Sequence, residues 1–192
     1  IAEPMRAFPT VPPPGFWKIV REACTRRGAL LILDEIPTGL GKTGRMFAFE
    51  HDDIIPDIVT MGKALGGGIL PIAAVIARHD LDVCGDFAIG HYTHEKNPVT
   101  ARAALTPLAI LRAEGLVERS AELGAYALER LQALKARSPF VGDVRGRGLM
   151  FGIEVVESRD TRVAARDRAE RIYYRCLDAG LSFKISAGCV LT

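Results

Sequence analysis

The chain has 192 residues, of which 48% are hydrophobic, and its formal net charge is +2. This length is enough for one domain, or for one domain and part of another. The charge is too close to neutral to favour a nucleic-acid-binding protein, and no basic stripe with interleaved aromatic residues is present. No apolar run approaches the roughly 20 residues that cross a bilayer, so we expect no membrane span.

Cysteine and histidine usage predicts neither disulfides nor a metal site. The four cysteines are far apart and form no CxxC pair, which is typical of free thiols in a reducing cytoplasm; they are Cys24, Cys84, Cys176 and Cys189. His91 and His94 are close enough in sequence to share a metal ion. No cysteine or carboxylate cluster completes a site around them, so we expect no bound metal.

The first half of the chain alternates helix and strand patterns. After a proline-rich segment over residues 4–15, apolar residues at helical spacing predict a helix from Phe16 to Arg27, ended by Gly28. The runs Leu30–Leu33 and Ile58–Gly62 are continuously apolar. Such runs are typical of parallel strands that helices cover on both faces.

The remainder of the chain predicts three more strand-like runs and three helices. In chain order we expect a strand over 72–77, a helix from Pro98 to Gly115, a second helix to Arg137, a strand over 149–156, a helix over 162–179 and a strand over 181–185. Pro107 should kink or interrupt the first of these helices, because proline removes a helical hydrogen bond. We place a domain boundary at Ser138-Pro139.

A glycine-rich loop over residues 36–45 contains Gly41-Lys42-Thr43, which resembles the end of a phosphate-binding P-loop. The complete pattern needs a glycine five positions before Gly41, where this chain has Ile36. Pro37 also lacks a backbone N–H with which such a loop would hold phosphate. We therefore do not expect nucleotide binding.

Charged residues stand at the ends of the first two predicted strands. The first run ends on Asp34-Glu35, and the second ends on Lys63 just before Gly66-Gly67-Gly68. The carboxyl edge of a parallel sheet is where open α/β folds bind their ligands. A lysine there can form an imine, and a carboxylate can hold a cationic ring nitrogen, which is how pyridoxal-phosphate enzymes divide the work.

Two ordered motifs carry a resemblance to a known family. Residues 30–44 read LLILDEIPTGLGKTG and residues 56–68 read PDIVTMGKALGGG. They resemble the patterns LLIxDEVQTGxGRTG and PDIxxxxKxLGGG of the fold-type I, class III pyridoxal-phosphate-dependent aminotransferases. The resemblance covers nearly the whole chain.

The resemblance implies a role for four residues. Lys63 would be the Schiff-base lysine that binds pyridoxal 5'-phosphate, and Asp34 would pair with the ring nitrogen. Ile36 would pack on one face of the ring, where the family usually has valine. Thr93, in the segment Gly90-His91-Tyr92-Thr93, would bind the cofactor phosphate of the neighbouring subunit, which implies a homodimer.

The resemblance also implies the fold. We expect an α/β protein in which residues 1–138 are the C-terminal part of the large cofactor-binding domain, with a mostly parallel sheet flanked by helices. Residues 139–192 would be the start of the small α+β C-terminal domain. Two departures from the family stand near the site: Pro37 replaces a glutamine, and Arg6 lies where relatives carry a carboxylate. We therefore expect Arg6 to contact an anionic group of the substrate.

The implied function is an aminotransferase that acts in the cytoplasm on a small amine or amino acid and a 2-oxo acid. Two alternatives remain open at this point. One is a lyase of the same fold that eliminates ammonia or phosphate from a small phosphorylated or phosphonate amine. The other is a fragment of the pyridoxal-phosphate fold that is inactive by itself.

Overall fold

The computed structural model describes residues 1–6, 8–87, 90, 92–93 and 95–192, so His91 and His94 lie outside the described residues. The chain divides into two compact units. The first contains Ile1–Pro4, Pro12–Gly41 and Arg45–Val117, and the second contains Met5–Val11, Lys42–Gly44 and Glu118–Thr192. The domain boundary at Ser138-Pro139 stays a prediction about the intact protein.

The first unit contains two helices and three strands. They are α1 (Phe16–Arg27), β1 (Ile32–Asp34), β2 (Ile58–Met61), β3 (Ala74–Ala77) and α2 (Pro98–Ala113). The predicted bounds of α1 are confirmed, and Gly28 caps it with a left-handed φ of 63°. Helix α2 runs through Pro107 without interruption. Proline removes one helical hydrogen bond, and the remaining hydrogen bonds keep the helix continuous.

The three strands form one sheet in the order β1-β2-β3. Strands β1 and β2 are parallel, as predicted, and Asp34 is the register partner of Thr60. Strand β3 pairs with β2 in the antiparallel direction. A short 3₁₀ helix, Lys63–Gly66, follows β2. Both predicted charged positions therefore lie at the same edge of the sheet.

One face of the β1–β2 pair is buried in the core. Its inward side chains alternate along the strands, and they are Leu31, Leu33, Val59 and Met61. Leu31 and Leu33 pack with Trp17 and Ile54, on the side of α1. Val59 and Met61 pack with a second cluster that includes Ala104 of α2. The opposite face, which carries Asp34 and Thr60, is only half-buried. The continuous apolar runs predicted that both faces would be covered, but in this chain burial alternates along the strands.

The Asp57 carboxylate links α1 to the three strands through hydrogen bonds. It is 4% exposed and accepts hydrogen bonds from the Leu31 N–H at 2.7 Å, from Arg21 at 2.7 Å and from Arg78 at 2.6 Å. Burial by itself would raise the pKa of Asp57. The hydrogen bonds from Leu31 and Arg21 and the two positive charges outweigh burial, so the pKa is lowered.

The second unit contains most of α3 and an antiparallel sheet of four strands in the order β4-β5-β7-β6. Its elements are α3 (Leu116–Arg137), β4 (Val141–Arg147), β5 (Met150–Val155), α4 (Arg166–Asp178), β6 (Ile185–Ser186) and β7 (Val190–Leu191). Strands β4 and β7 were not predicted. Helix α4 packs on the sheet through Ala169, which lies in one buried cluster with Val155 and Leu191.

We expect Asp57→Asn to lower the free energy of unfolding of the intact protein by about 2–4 kcal/mol, because it breaks a buried charge pair. The matched control is Asp80→Asn: Asp80 pairs with the same Arg78 but is exposed, so its loss should be much smaller. Denaturant unfolding measures both. A folded pKa below the unfolded value means that the contribution of Asp57 is present above the unfolded pKa and is lost as the pH falls through the folded one. An equal loss in both variants would contradict this account.

Candidate active site

Asp34 is the last residue of β1, and two hydrogen bonds orient its carboxylate. Oδ1 accepts from the backbone N–H of Ile36 at 3.0 Å and from Oγ1 of Thr60 at 3.2 Å. Neither bond uses Oδ2. The second carboxylate oxygen of this half-buried side chain is thus left for a partner at the open edge of the sheet.

Lys63 follows the end of β2 by two residues. Gly62 is extended, with φ at −173°, and the chain then turns sharply, so that Lys63 begins the 3₁₀ helix with a left-handed φ of 45°. A non-glycine residue rarely adopts this conformation, and residues that do are concentrated at functional sites. The Lys63 side chain is exposed, and within the described part of the chain no hydrogen bond or ion pair engages its amino group.

Ile36 lies against the backbone that leads to Lys63. A Cβ atom placed on Gly62 would stand 3.5 Å from both Cγ1 and Cγ2 of Ile36. Because the Ile36 N–H also binds Asp34, this one residue connects the carboxylate at the end of β1 with the segment that carries the lysine. Asp34, Ile36 and the backbone next to Lys63 are therefore linked, and the roles of the three residues stay predictions.

Glu35 points to the opposite side of the sheet and is 1% exposed. Its carboxylate accepts hydrogen bonds from the Thr38 hydroxyl and, at 3.0 Å, from the N–H of Phe49. Burial raises the pKa of Glu35, and the hydrogen bonds from Thr38, Ala48 and Phe49 only partly oppose it. The buried carboxyl group thus binds Thr38, near the start of the loop that begins with Ile36, and Phe49, further along the chain.

The P-loop-like segment has a packing role in the second unit. The Lys42 carbonyl accepts hydrogen bonds from the Ser120 hydroxyl and the Leu149 N–H, both at 3.0 Å. Position 148 must be glycine, since a Cβ there would lie 2.3 Å from the carbonyl carbon of Thr43. The segment therefore makes close backbone contacts with Ser120, Gly148 and Leu149.

The two remaining predicted residues lie elsewhere. Thr93 is in an exposed turn, and no described contact links it to Asp34 or Lys63. Arg6 belongs to the second compact unit and is exposed, with its guanidinium carbon 5.4 Å from the centre of the Phe8 ring. The roles of both residues stay predictions.

Our sequence reasoning missed Thr60 and Glu35. Thr60 gave one weak signal, a hydroxyl residue inside the apolar run of β2, three positions before Lys63. Glu35 was noted only as part of the charged pair that ends β1. Its burial could not be foreseen, because a carboxylate in a strand-to-loop junction is usually solvated.

No helix in the described ranges is long and apolar enough to cross a membrane. Among the same residues, no group of three or more histidine, cysteine or acidic side chains is placed to hold a metal ion. All four cysteines are free. The candidate site therefore consists of a carboxylate, an amine and an apolar side chain at the edge of a sheet.

A parallel strand pair with an aspartate and a lysine at its carboxyl ends is an arrangement of α/β proteins. The family comparison agrees: the model of the class-III aminotransferases matches residues 8–190. The chain belongs to the class III aminotransferase family.

Three relatives show the range of reactions in this family. The (R)-1-hydroxy-2-aminoethylphosphonate ammonia-lyase of Vibrio splendidus is 41% identical over 94% of this chain and 38% of its own length. The leucine/methionine racemase of Thermococcus litoralis is 40% identical over 99% of this chain and 43% of its own. The ornithine aminotransferase of Brevibacillus brevis is 40% identical over 84% of this chain and 39% of its own.

Solved structures confirm the predicted fold class. An (S)-enantioselective omega-transaminase from Thermomicrobium roseum superposes with a TM-score of 0.90 at 31% identity, over 99% of this chain and 44% of the other. An ornithine aminotransferase from Toxoplasma gondii, with partial occupancy of PLP at its active site, gives 0.89 at 34% identity, over 98% and 43%. The chain spans about two-fifths of the length of the relatives it matches.

For Glu35 we expect Glu35→Ala to lower the free energy of unfolding by about 2–4 kcal/mol, because the Phe49 N–H and the Thr38 hydroxyl lose their acceptor in the core. Glu35→Gln keeps one acceptor oxygen and can donate to Thr38, so it should cost much less. Denaturant unfolding of both variants of the intact protein measures the difference.

The pH dependence of the same variants provides a second check. Since folding raises the pKa of Glu35, its contribution to stability is full below the unfolded pKa and declines as the pH rises through the folded pKa. Relative to the native protein, Glu35→Gln should therefore become more stable with rising pH over that interval. A Glu35→Gln variant that becomes less stable relative to the native protein as the pH rises would contradict the direction of the shift.

Proposed function

We propose that the intact protein is a pyridoxal-phosphate-dependent aminotransferase that moves an amino group between a small amine or amino acid and a 2-oxo acid. The observation that carries the proposal is the pairing of β1 with β2, which brings Asp34 and Lys63 to one edge of the sheet. The family to which the chain belongs depends on pyridoxal phosphate.

The residues present fit this cofactor. The Lys63 side chain is exposed, so its amine can reach an aldehyde. It stands on a turn with a strained backbone. Asp34 has one oxygen held by two donors, and its Oδ2 is not used by either bond. Between them the apolar side chain of Ile36 offers a surface for one face of an aromatic ring.

Each residue has a definable task. When bound, the cofactor supplies an electron sink for the electron pair left when a proton leaves the substrate carbon. Asp34 Oδ2 would hold the ring nitrogen and keep it protonated. Lys63 Nζ would hold the aldehyde end of the cofactor, and as a free amine it would accept the substrate proton and return it. Ile36 would restrain the plane of the ring.

We propose further that the intact enzyme is a cytoplasmic homodimer in which Thr93 binds the cofactor phosphate of the neighbouring subunit. One observation supports this: Thr93 lies in an exposed turn, where a second chain can reach it.

We assign Arg6 to the anionic group of the substrate. Its guanidinium is exposed, lies over Phe8 and is paired with no carboxylate of the described residues. A guanidinium presents a planar pair of donors that matches a carboxylate, phosphate or phosphonate. The proposed substrates are therefore small amines with an anionic tail.

The second candidate is elimination of ammonia from such an amine. The relative from Vibrio splendidus, which is named for that reaction on a phosphonate, favours it. The proposed Arg6 contact fits a phosphonate as well as a carboxylate. An inactive remnant is disfavoured because both Asp34 and Lys63 are retained.

Trapping with borohydride tests the site. In the intact protein, reduction followed by peptide mapping should place the cofactor on Lys63, and Lys63→Ala should abolish both the trapped product and the visible absorption of the bound cofactor. Lys18→Ala is the control, since this exposed lysine of α1 pairs only with the exposed Asp53 and should change neither. Trapping on any other lysine would refute the assignment.

Product analysis separates the two reactions. An aminotransferase should convert an amine with an anionic tail only when a 2-oxo acid such as pyruvate is present, and it should yield the new amino acid without free ammonia. A lyase would release ammonia without that acceptor. We expect the first result.

The same assay tests Arg6. Arg6→Ala should raise KM for anionic amines by about 10-fold to 100-fold, the range for a hydrogen bond between charged groups. Neutral amines should be little affected, and Arg6→Lys should fall between because it keeps the charge without the planar fork. Equal effects on both substrate classes would leave Arg6 without a substrate role.

A further inference from the structure

We propose that Thr60 is a positioning residue for the cofactor-binding carboxylate: its hydroxyl fixes the plane of the Asp34 side chain, so that Oδ2 points along one direction. This inference rests on the proposed function. It concerns a position that the pattern PDIxxxxKxLGGG leaves variable, three residues before Lys63, and it follows from the register of the sheet.

The geometry comes directly from strand pairing. Asp34 and Thr60 are partners in the parallel register of β1 and β2, directly after the buried pair Leu33 and Val59. Paired residues of neighbouring strands project to the same side of a sheet, where their side chains are within reach. The Thr60 hydroxyl accordingly donates to Oδ1 at 3.2 Å.

Two donors from different parts of the chain meet at one oxygen. The Ile36 N–H comes from the loop that follows β1, and the Thr60 hydroxyl comes from the neighbouring strand. A single donor leaves a carboxylate free to rotate about its last side-chain bond, which is a soft torsion. Two donors in different directions fix that rotation, and Thr60 suits this task because a β-branched residue in a strand has restricted χ1.

The consequence concerns the acidity of the ring nitrogen that Asp34 would hold. A fixed carboxylate keeps a strong hydrogen bond to the protonated ring, while a rotating one offers a weaker average contact. Loss of the Thr60 hydroxyl should therefore weaken cofactor binding and slow proton removal. It should have little effect on substrate affinity, since Thr60 would act only through Asp34.

A double-mutant cycle in the intact holoenzyme tests the proposal, with Thr60→Val, Thr60→Ser, Asp34→Ala and the combination of Thr60→Val with Asp34→Ala. Thr60→Val keeps the shape of the side chain and removes the donor. We expect it to raise the cofactor dissociation constant and to lower kcat, each by about tenfold, with KM within about twofold. Thr60→Ser retains the hydroxyl and should restore both values to within about twofold to threefold of the native protein.

The cycle distinguishes positioning from a structural role. If Thr60 acts through Asp34, Thr60→Val should change neither cofactor affinity nor the absorption spectrum once Asp34 is alanine, because the acceptor of the Thr60 hydroxyl is then gone. Equal losses in both backgrounds, or an unchanged dissociation constant in Thr60→Val, would overturn the proposal. If Thr60→Val does not fold, Thr60→Ala against Thr60→Ser provides the same comparison without added bulk.

The outcome also separates this inference from the proposed function. A native protein that binds no cofactor on Lys63 would refute the function itself. A native protein that binds it normally, together with a Thr60→Val variant of native spectrum and affinity, would refute only the role of Thr60.

Discussion

The candidate site depends on the hydrogen bond between the Asp57 carboxylate and the Leu31 N–H, 2.7 Å long and almost fully buried. This bond fixes the start of β1 beside the start of β2, and every later residue of the two strands is placed by that register. A slip of one residue would move Asp34 by about 3.3 Å along the strand and turn its side chain to the other face. Asp34 would then be separated from Thr60 and from the turn that carries Lys63. A buried hydrogen bond at the start of the two strands thus helps to determine where the groups at their ends stand.

Two adjacent carboxylates, Asp34 and Glu35, have opposite surroundings because side chains alternate across the sheet edge. Asp34 faces the half-buried side, where two donors hold one of its oxygens. Glu35 is turned into the core, where burial raises its pKa and backbone N–H groups of the following loop surround it. Asp34 is the residue that we propose to meet a ligand, and Glu35 bonds to the loop that contains Ile36. The division follows from backbone geometry, since both side chains carry the same functional group.

The sequence was sufficient to predict the parts that have a chemical or periodic signature. Helix α1, the parallel pair β1–β2 and the strand-end positions of Asp34 and Lys63 are of this kind. Strand β4 was missed because two glycines interrupt its apolar alternation, and one of them, Gly146, is required by a close backbone approach: a Cβ there would lie 2.4 Å from the Cα of Phe151 in β5. Thr60 was missed for a different reason: a threonine in a strand has no distinctive pattern, and its partner is known only once the register is known. The roles of Thr93 and Arg6 depend on groups outside the described contacts, so they stay predictions.

The relatives that match this chain are named for transfer, elimination and racemisation, and the described site suggests why one scaffold can accommodate all three. In our proposals Asp34, Lys63 and Thr60 would act on the cofactor ring and on one proton, and these tasks are common to every reaction that begins by removing a proton from the substrate carbon. The groups that meet the rest of the substrate decide which product then forms. In this chain the residue proposed for that task is Arg6, which lies in the other compact unit and outside both motifs. The β1–β2 register positions the residues proposed to hold the cofactor, but it does not position Arg6. We therefore expect the substrate specificity to vary independently of the residues at the sheet edge.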